Sequence, residues 1–532
     1  MNATRRPIVL SGFMATGKST VGRLVAKSLG MPFLDLDSHV EALAGKSVPE
    51  IFATEGEARF REREAAAILP LLDEARPRVI AFGGGTVTIE RVRLAALERA
   101  TVVTLTARPE TIVSRVPSLA ARPNLVTSSP LDRTHDLLGL RREAYGECHA
   151  TFCTDKATPS EIASKIAALA DRDLLAMPLG SRSYTIELAN NEPARLSDTL
   201  TRLQPSSLVV VTDANVWRHR SSWLEQALQQ AGTAGRRTLK IEIEPGEKSK
   251  ILATVARIWN EALAWGIDRD AVVLAFGGGV VGDLAGFAAS TLLRGVRCVQ
   301  IATTLLSMCD SSVGGKTGFD HPAGKNLIGA FFQPNHVILD IAHLSTLPVR
   351  ERTAGLAEVV KIAVITDAPL LGVLEQHAEA IAEGDQEVLR AVVRSAVQAK
   401  IRVVSDDERE SGLRALLNLG HTVGHALEAH GGYSVLLHGE AVAIGTVTEM
   451  KATERLGLTP RGLADRAETL FNRLGLATKA HARDIEAAWP FVLADKKRAA
   501  STIKVPAVTG AGQGAVHAIE IKALADAVLA VA

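Results

Sequence analysis

Gly12-Phe-Met-Ala-Thr-Gly17-Lys18-Ser19-Thr20 follows the apolar run Ile8-Val-Leu and leads into a helical pattern. Strand, glycine-rich loop and helix in that order let main-chain N–H groups encircle phosphate oxygens. Gly12 and Gly17 keep Cβ atoms out of the loop, Lys18 can reach the outer phosphates, and Ser19, next to Thr20, can ligate Mg²⁺. The stretch predicts a P-loop on a parallel sheet, and with it a nucleoside triphosphate. It does not name the acceptor.

Working outward, Val79-Ile-Ala-Phe and Thr101-Val-Val-Thr-Leu read as further buried parallel strands, each followed by a helix. The pattern lapses near residues 170–181. A second α/β series then begins with Tyr184-Thr-Ile-Glu-Leu, Ser207-Leu-Val-Val-Val-Thr, Leu239-Lys-Ile-Glu-Ile and Ala271-Val-Val-Leu-Ala-Phe. From about Pro348 the pattern is helical. The expected organisation is a P-loop domain over 1–172, a linker over 173–182, an α/β nucleotide-binding domain over 183–347 and an all-α metal- and substrate-binding domain over 348–532. Val79-Ile-Ala-Phe-Gly-Gly-Gly85 resembles Val273-Leu-Ala-Phe-Gly-Gly-Gly279, but the flanks differ. The likeness reads as convergence on a strand that ends against a ligand.

The chain has 532 residues, more than a single core usually supports, with 47% hydrophobic and 22% charged residues and a net charge of +1. No basic stripe is evident and only three Tyr offer stacking surfaces, which argues against nucleic acid. Cys148, Cys153, Cys298 and Cys309 follow no zinc-ribbon or disulfide spacing, so reduced thiols and a cytoplasmic location are expected. Arg5-Arg6 before an apolar run imitates a short signal peptide, yet that run continues into the P-loop and reads as a strand. No run has the roughly 18–20 apolar residues of a membrane span.

Candidate acceptor groups lie after the P-loop. Phe33-Leu-Asp35-Leu-Asp37 is expected to end a strand with both carboxylates on one side, Asp35 toward magnesium through water and Asp37 toward a substrate hydroxyl. The other reading is a solvated turn with Asp37 capping the next helix. Arg59 and Arg63 are expected on a charged helix face. The ordered set of P-loop, Asp-x-Asp, Phe60-Arg61, Gly83-Gly-Gly, Arg122-Pro123 and Arg141…Tyr145 resembles shikimate kinase over about residues 7–165. The resemblance implies that Arg61 and Arg141 clamp a shikimate carboxylate, a task suited to the guanidinium fork. It also implies that Asp37 and Gly84 hold ring hydroxyls, with Asp37 as base, while Lys18 and Arg122 serve the transferring phosphoryl group. Asn124 departs from the family's usual lid, and Arg142 leaves the position of the second arginine ambiguous by one residue.

The second half carries unrelated chemistry. Asn418-Leu-Gly-His421-Thr-Val-Gly-His425 sets two histidines four apart, with His438-Gly-Glu440 after it and Gly355-Leu-Ala-Glu358-Val-Val-Lys361 before it. Two His and a Glu suit a zinc site with an open position. Pro245-Gly-Glu247-Lys-Ser-Lys250, Gly277-Gly-Gly279-Val-Val-Gly282-Asp283, Thr303-Thr304, Asp310-Ser-Ser-Val-Gly-Gly-Lys316, Gly324-Lys325-Asn326, Asp407-Glu-Arg-Glu410 and Asp495-Lys496-Lys497 complete a resemblance to 3-dehydroquinate synthase from about Ser181 onward.

That resemblance implies Zn²⁺ or Co²⁺ on Glu358, His421 and His438, and NAD⁺ on Asp213, Glu247, Lys250, Gly279, Asp283, Thr303, Thr304 and Lys325. It places the substrate phosphate on Lys316, Asn326, Asn418, His425 and Lys496, with Arg294 reaching in from a second subunit of a homodimer. Lys400 and Arg414 take the carboxylate, and Lys361 borders the metal. The combined expectation is a fusion of two enzymes, acting on shikimate with ATP-Mg²⁺ and on a heptulosonate phosphate. Another sugar-phosphate cyclase specificity, another small-molecule kinase or a nucleotide-sensing first half remain alternatives.

Overall fold

Buried β-branched runs set both sheets. In the computed structural model, which describes residues 5–74, 76–116, 129–232, 237–322, 324–495 and 501–531, the chain divides into two compact units, Met1–Glu187 and Leu188–Ala532. The first holds β1 (Ile8–Gly12), β2 (Phe33–Asp35), β3 (Val79–Ala81), β4 (Thr101–Thr106) and β5 (Ala150–Cys153). They form a parallel sheet in the order β2-β3-β1-β4-β5. Ile8, Val9, Leu10, Val79, Ile80 and Val103 are fully buried, so helices cover both faces, as an all-parallel sheet requires. Residues 173–182, expected from the sequence to be a linker, carry β6 (Asp173–Met177) and the 3-10 turn Gly180–Arg182. Leu174 and Ala176 of β6 join the apolar clusters around β1 and β3, which explains why the segment is ordered.

After β7 (Tyr184–Ala189), the second unit contains β8 (Leu208–Asp213), β9 (Thr238–Ile243), β10 (Val272–Gly277) and β11 (Arg297–Ala302). An antiparallel pair, β12 (Lys316–His321) and β13 (Gly324–Phe331), precedes β14 (His336–Asp340). The central sheet runs β14-β11-β10-β8-β9 with parallel neighbours. From Val349 the chain is mainly helical, as expected, but ends with an antiparallel hairpin, β15 (Thr502–Gly510) and β16 (Gln513–Glu520), before the helix Ile521–Leu529. The alternation of buried Ile503, Val505 and Ala507 is the strand signal inside an otherwise helical region.

The two similar glycine runs fold differently. Gly83–Gly85 leads into a 3-10 turn at Thr86–Thr88, whereas Gly277–Gly279 opens the helix Gly279–Thr291. No described helix is long and apolar enough to cross a membrane.

Candidate active sites

The P-loop is shaped by backbone geometry that only glycine adopts cheaply. Gly12 has φ 131°, and a Cβ there would stand 2.2 Å from the Leu105 carbonyl oxygen; Gly17 has φ 94° at the start of the helix Lys18–Leu29. Lys18 Nζ donates to the carbonyls of Gly12 and Phe13, both at 2.9 Å, which folds it across the loop. Ser19 Oγ donates to Asp35 Oδ2 at 2.5 Å, bringing together the two groups expected near magnesium. Thr20 is exposed on the first helical turn.

The strand reading of Asp35 and Asp37 needs correction. β2 stops at Asp35, whose Oδ1 accepts from Ser38 N and caps the helix Leu36–Ala44; Asp37 sits in that helix's first turn. Helical geometry, not strand alternation, therefore carries Asp37 to the glycine turn, where a Cβ on Gly83 would lie 2.6 Å from Asp37 Oδ1. Arg61 spans Glu57, at 2.7 Å, and Glu64 on its own helix, and its guanidinium lies against Gly85. Arg59 and Arg63 pair instead with Glu62 and Glu55.

Arg141 is buried, with its Nη1 donating to Gly84 O at 3.1 Å, whereas Arg142 is exposed. The inward guanidinium is thus that of Arg141. Tyr145 Oη donates to the same carbonyl, and a Cβ on Gly84 would lie 3.2 Å from Met14 N of the P-loop. Arg61, Arg141, Asp37 and Gly84 consequently converge beside the phosphate-binding loop. Arg122 lies outside the described residues.

In the second unit, Glu358 and Lys361 lie on the helix Val349–Thr366, His421 and His425 on the helix His421–His430, and His438 begins the helix His438–Arg455. Glu358 Oε1 is 3.3 Å from His438 Nε2 and 3.6 Å from His421 Nε2. His421, His425 and His438 offer ligand atoms all within 4.8 Å of one another. The other ring nitrogens are engaged: His421 Nδ1 lies 3.2 Å from Leu419 O, and His438 Nδ1 lies 3.2 Å from Glu428 Oε2. Such outer contacts orient imidazoles toward a metal.

Burial opposes charge at all these groups. Even so, Lys361 and the two imidazoles hold Glu358 well below the usual carboxylate range. Glu358 and Glu428 likewise push buried His438 up to about 10, whereas burial beside Lys361 drives His421 well down. Both Glu358 oxygens are buried; Oε2 pairs with Lys361 Nζ, and Oε1 faces the two imidazoles. A buried carboxylate oxygen facing two imidazoles whose outer nitrogens are already engaged fits a divalent cation.

The groups expected to hold a dinucleotide gather at the ends of the parallel strands. Asp213 ends β8 and caps the helix Ala214–Gln230 through Asn215 N and Val216 N. A Cβ on Gly278 would lie 2.9 Å from Thr304 Cγ2, and one on Gly279 would lie 3.0 Å from Ser311 Oγ. The hydroxyls of Thr303 and Ser311 are buried with no hydrogen-bond partner, beside the N-terminus of a 13-residue helix. A cradle of this kind fits a dinucleotide pyrophosphate. Lys250 bridges Asp283 at 2.7 Å and Asn326 Oδ1 at 2.6 Å, and although burial opposes its charge, Asp283 and Glu247 keep it protonated. Lys325 lies 3.2 Å from Glu247 and 3.1 Å from Glu428, joining this region to the histidine cluster.

The groups expected to bind substrate divide. Lys316 and Asn418 meet on Glu410, whereas Asn326 belongs with Lys250. Lys400 is buried and donates to Asp310 Oδ1 at 2.6 Å; Arg414 is buried with Nη1 directed to the Gly314 and Glu408 carbonyls. Arg294 is exposed in a left-handed conformation with φ 68°. Lys496 lies outside the described residues.

The family descriptions "3-dehydroquinate synthase N-terminal" and "3-dehydroquinate synthase C-terminal" match residues 240–354 and 355–498, and "Shikimate kinase" matches residues 14–170. The 3-dehydroquinate synthase of Pseudomonas syringae pv. syringae (strain B728a) is 47% identical over 305 residues, covering 57% of this chain and 81% of that protein. The chain belongs to the 3-dehydroquinate synthase family. A shikimate kinase domain precedes the synthase, so the chain is a bifunctional shikimate-pathway enzyme. The synthase of Thermosynechococcus vestitus (strain NIES-2133 / IAM M-273 / BP-1) is 42% identical over 349 residues, covering 64% of this chain and 94% of its own. Among solved structures, 2-epi-5-epi-valiolone synthase (ValA) from Streptomyces hygroscopicus subsp. jinggangensis 5008, with NAD⁺ and Zn²⁺ bound, has a TM-score of 0.58 at 28% identity, covering 65% of this chain and 96% of that one. The synthase relatives at 42–47% identity favour dehydroquinate formation over the valiolone chemistry of that structure.

Four acidic groups escaped the sequence reading. Glu64, fully buried, links Arg61 to Thr86, and burial raises its carboxyl. Asp310 pairs with Lys400, and Glu428 orients His438. Glu449, also fully buried, accepts from Gly420 N at 2.8 Å and Val423 N at 2.9 Å, capping the helix that begins at His421. Nothing local to Glu449 in sequence signals this, because its partners lie in another helix. Glu449→Ala is expected to destabilise the unit by about 1–3 kcal/mol through unsatisfied N–H groups and to weaken zinc binding about 10–100-fold. Thermal melting and zinc titration check this; unchanged zinc affinity would remove Glu449 from His421 positioning.

Proposed function

We propose that the first unit transfers the γ-phosphoryl group of ATP to the 3-hydroxyl of shikimate through the residues gathered at Gly83–Gly85. The convergence of Asp37, Arg61 and Arg141 beside the P-loop carries the reading. Lys18 and the P-loop N–H groups, with Gly12 and Gly17 giving access, hold the phosphates; Ser19 and Asp35 serve Mg²⁺. Arg61 and Arg141 take the two oxygens of the shikimate carboxylate, while Gly84 N–H and Asp37 meet ring hydroxyls. Asp37 receives the 3-hydroxyl proton as the oxygen attacks phosphorus. By the family resemblance, Arg122 supplies positive charge to the phosphates.

In the second unit, Glu358, His421 and His438 would hold Zn²⁺ or Co²⁺, and the convergence of Glu358 Oε1 with both Nε2 atoms carries that reading. Asp213, Glu247, Lys250, Gly279, Asp283, Thr303, Thr304 and Lys325 would hold NAD⁺. When bound, the metal polarises a substrate hydroxyl and NAD⁺ provides a transient hydride acceptor. The net conversion is 3-deoxy-arabino-heptulosonate 7-phosphate to 3-dehydroquinate plus inorganic phosphate, with NAD⁺ regenerated. Lys316, Asn326, Asn418, His425 and Lys496 orient the phosphate ester. Lys400 and Arg414 face the carboxylate, already fixed by Asp310 and main-chain carbonyls and so needing little reorganisation. Lys361 adds positive charge beside the metal-side hydroxyls. Four free thiols support a cytoplasmic setting.

Protein dialysed against chelator is expected to recover shikimate phosphorylation with ATP and Mg²⁺ alone. Phosphate release from the heptulosonate phosphate should additionally need NAD⁺ and Zn²⁺ or Co²⁺. Recovery of both with Mg²⁺ alone would overturn the metal assignment. Arg294 is proposed to complete the synthase pocket of a second copy. Sedimentation should then give a dimer; monomers with full synthase activity would refute that placement.

A further inference from the structure

The residues beyond the shikimate kinase match fold back onto the acceptor side of the kinase site. Gly180 N donates to Glu147 Oε1 at 3.0 Å, and Ser181 N donates to Glu143 Oε2. Both carboxylates belong to the short helical segment, Arg141 through Glu147, that presents Arg141 and Tyr145 to Gly84. Glu147 Oε2 also accepts from Arg93 Nε at 2.5 Å, and Arg93 Nη1 donates to Val87 O at 2.8 Å, directly after the glycine turn.

The approach is close: a Cβ on Gly146 would stand 2.9 Å from Gly180 O, and one on Gly180 would stand 1.8 Å from Glu143 Oε2. The segment is itself anchored. Ala176 shares an apolar cluster with Phe13 and Tyr145, and Arg141 lies over the Phe13 ring at 5.7 Å. Thr185 Oγ1 donates to His149 O at 2.8 Å, and fully buried Glu187 accepts from Arg172 Nε at 2.6 Å.

We propose that residues 173–187 are a positioning element for shikimate binding, built into this chain where the kinase runs on into the synthase. The N–H groups of Gly180 and Ser181 fix Glu143 and Glu147, and these two carboxylates fix the segment bearing Arg141 and Tyr145. Through Arg93 the same contact reaches the carbonyl after the glycine turn, so both walls of the acceptor pocket share one brace. ATP lies on the P-loop, which makes none of the hydrogen bonds of the brace and touches it only through the apolar face of Phe13. Loss of the brace therefore acts on the acceptor and spares the nucleotide. The inference rests on the reading of Arg141 as a carboxylate ligand of shikimate.

The test is steady-state kinetics on the full chain with Glu143→Ala, Glu143→Gln and Gly180→Ala, and Arg141→Ala beside them. Glu143→Ala should raise KM for shikimate about fivefold, the scale of one lost hydrogen bond, with KM for ATP unchanged. Glu143→Gln, which keeps an acceptor oxygen, should restore KM. Gly180→Ala, which displaces the Glu143 carboxylate, should reproduce the split. All five Trp lie in the second unit, so unchanged fluorescence with unchanged circular dichroism shows that both units remain folded. Equal rises in both KM values, or no change, overturn the brace. If Arg141→Ala raises KM for shikimate while the Glu143 and Gly180 variants do nothing, only the brace fails. If Arg141→Ala leaves that KM unchanged, the acceptor reading fails with it.

Discussion

Parallel pairing forces neighbouring strands to end on the same edge, and the groups proposed to hold nucleotides in both units depend on that. In the first unit, β1 pairs with β3 so that Leu10 faces Ala81, and the P-loop and the Gly83–Gly85 turn emerge side by side. In the second, Gly277 faces Ala302 and Phe276 faces Thr212, which brings Gly278, Thr303 and Asp213 to one edge. Thr303 N donates to Gly277 O at 3.0 Å and ties two of these loops together. Ligands collect at such edges because helix N-termini and unpaired N–H groups are directed there.

The other constraint is buried charge. Glu358, Lys361, Lys400 and Arg414 are each at most 4% exposed, so every one needs a fixed partner. Lys361 meets Glu358, Lys400 meets Asp310, and Arg414 meets carbonyl oxygens. Lys361 takes one oxygen of Glu358, and the other faces the histidines. The close approach of helices here is set by glycine: a Cβ on Gly445 would stand 2.0 Å from Gly420 O, so the helices bearing His421 and His438 touch backbone to backbone.

Much of this was legible where the signal is local. The P-loop, both glycine turns and the four-residue spacing of His421 and His425 are short-range patterns, and each occurs where the pattern placed it. Parity failed at Asp35 and Asp37, because an Asp that can cap a helix ends the strand early. Glu64, Asp310, Glu428 and Glu449 were not legible, because their burial is imposed by distant elements and a lone carboxylate reads as a solvated one. The matching glycine stretches diverge for a similar reason. Their next residues, Thr86-Val-Thr in one and Val280-Val-Gly-Asp in the other, decide between a 3-10 turn and a helix.

Two separate catalytic units in one chain are the central claim. The most direct measurement is both activities on Lys18→Ala and His421→Ala protein, each confirmed as folded. Lys18→Ala is predicted to abolish shikimate phosphorylation and leave phosphate release from the heptulosonate phosphate unchanged, and His421→Ala to do the reverse. Loss of both activities from either single substitution would contradict it.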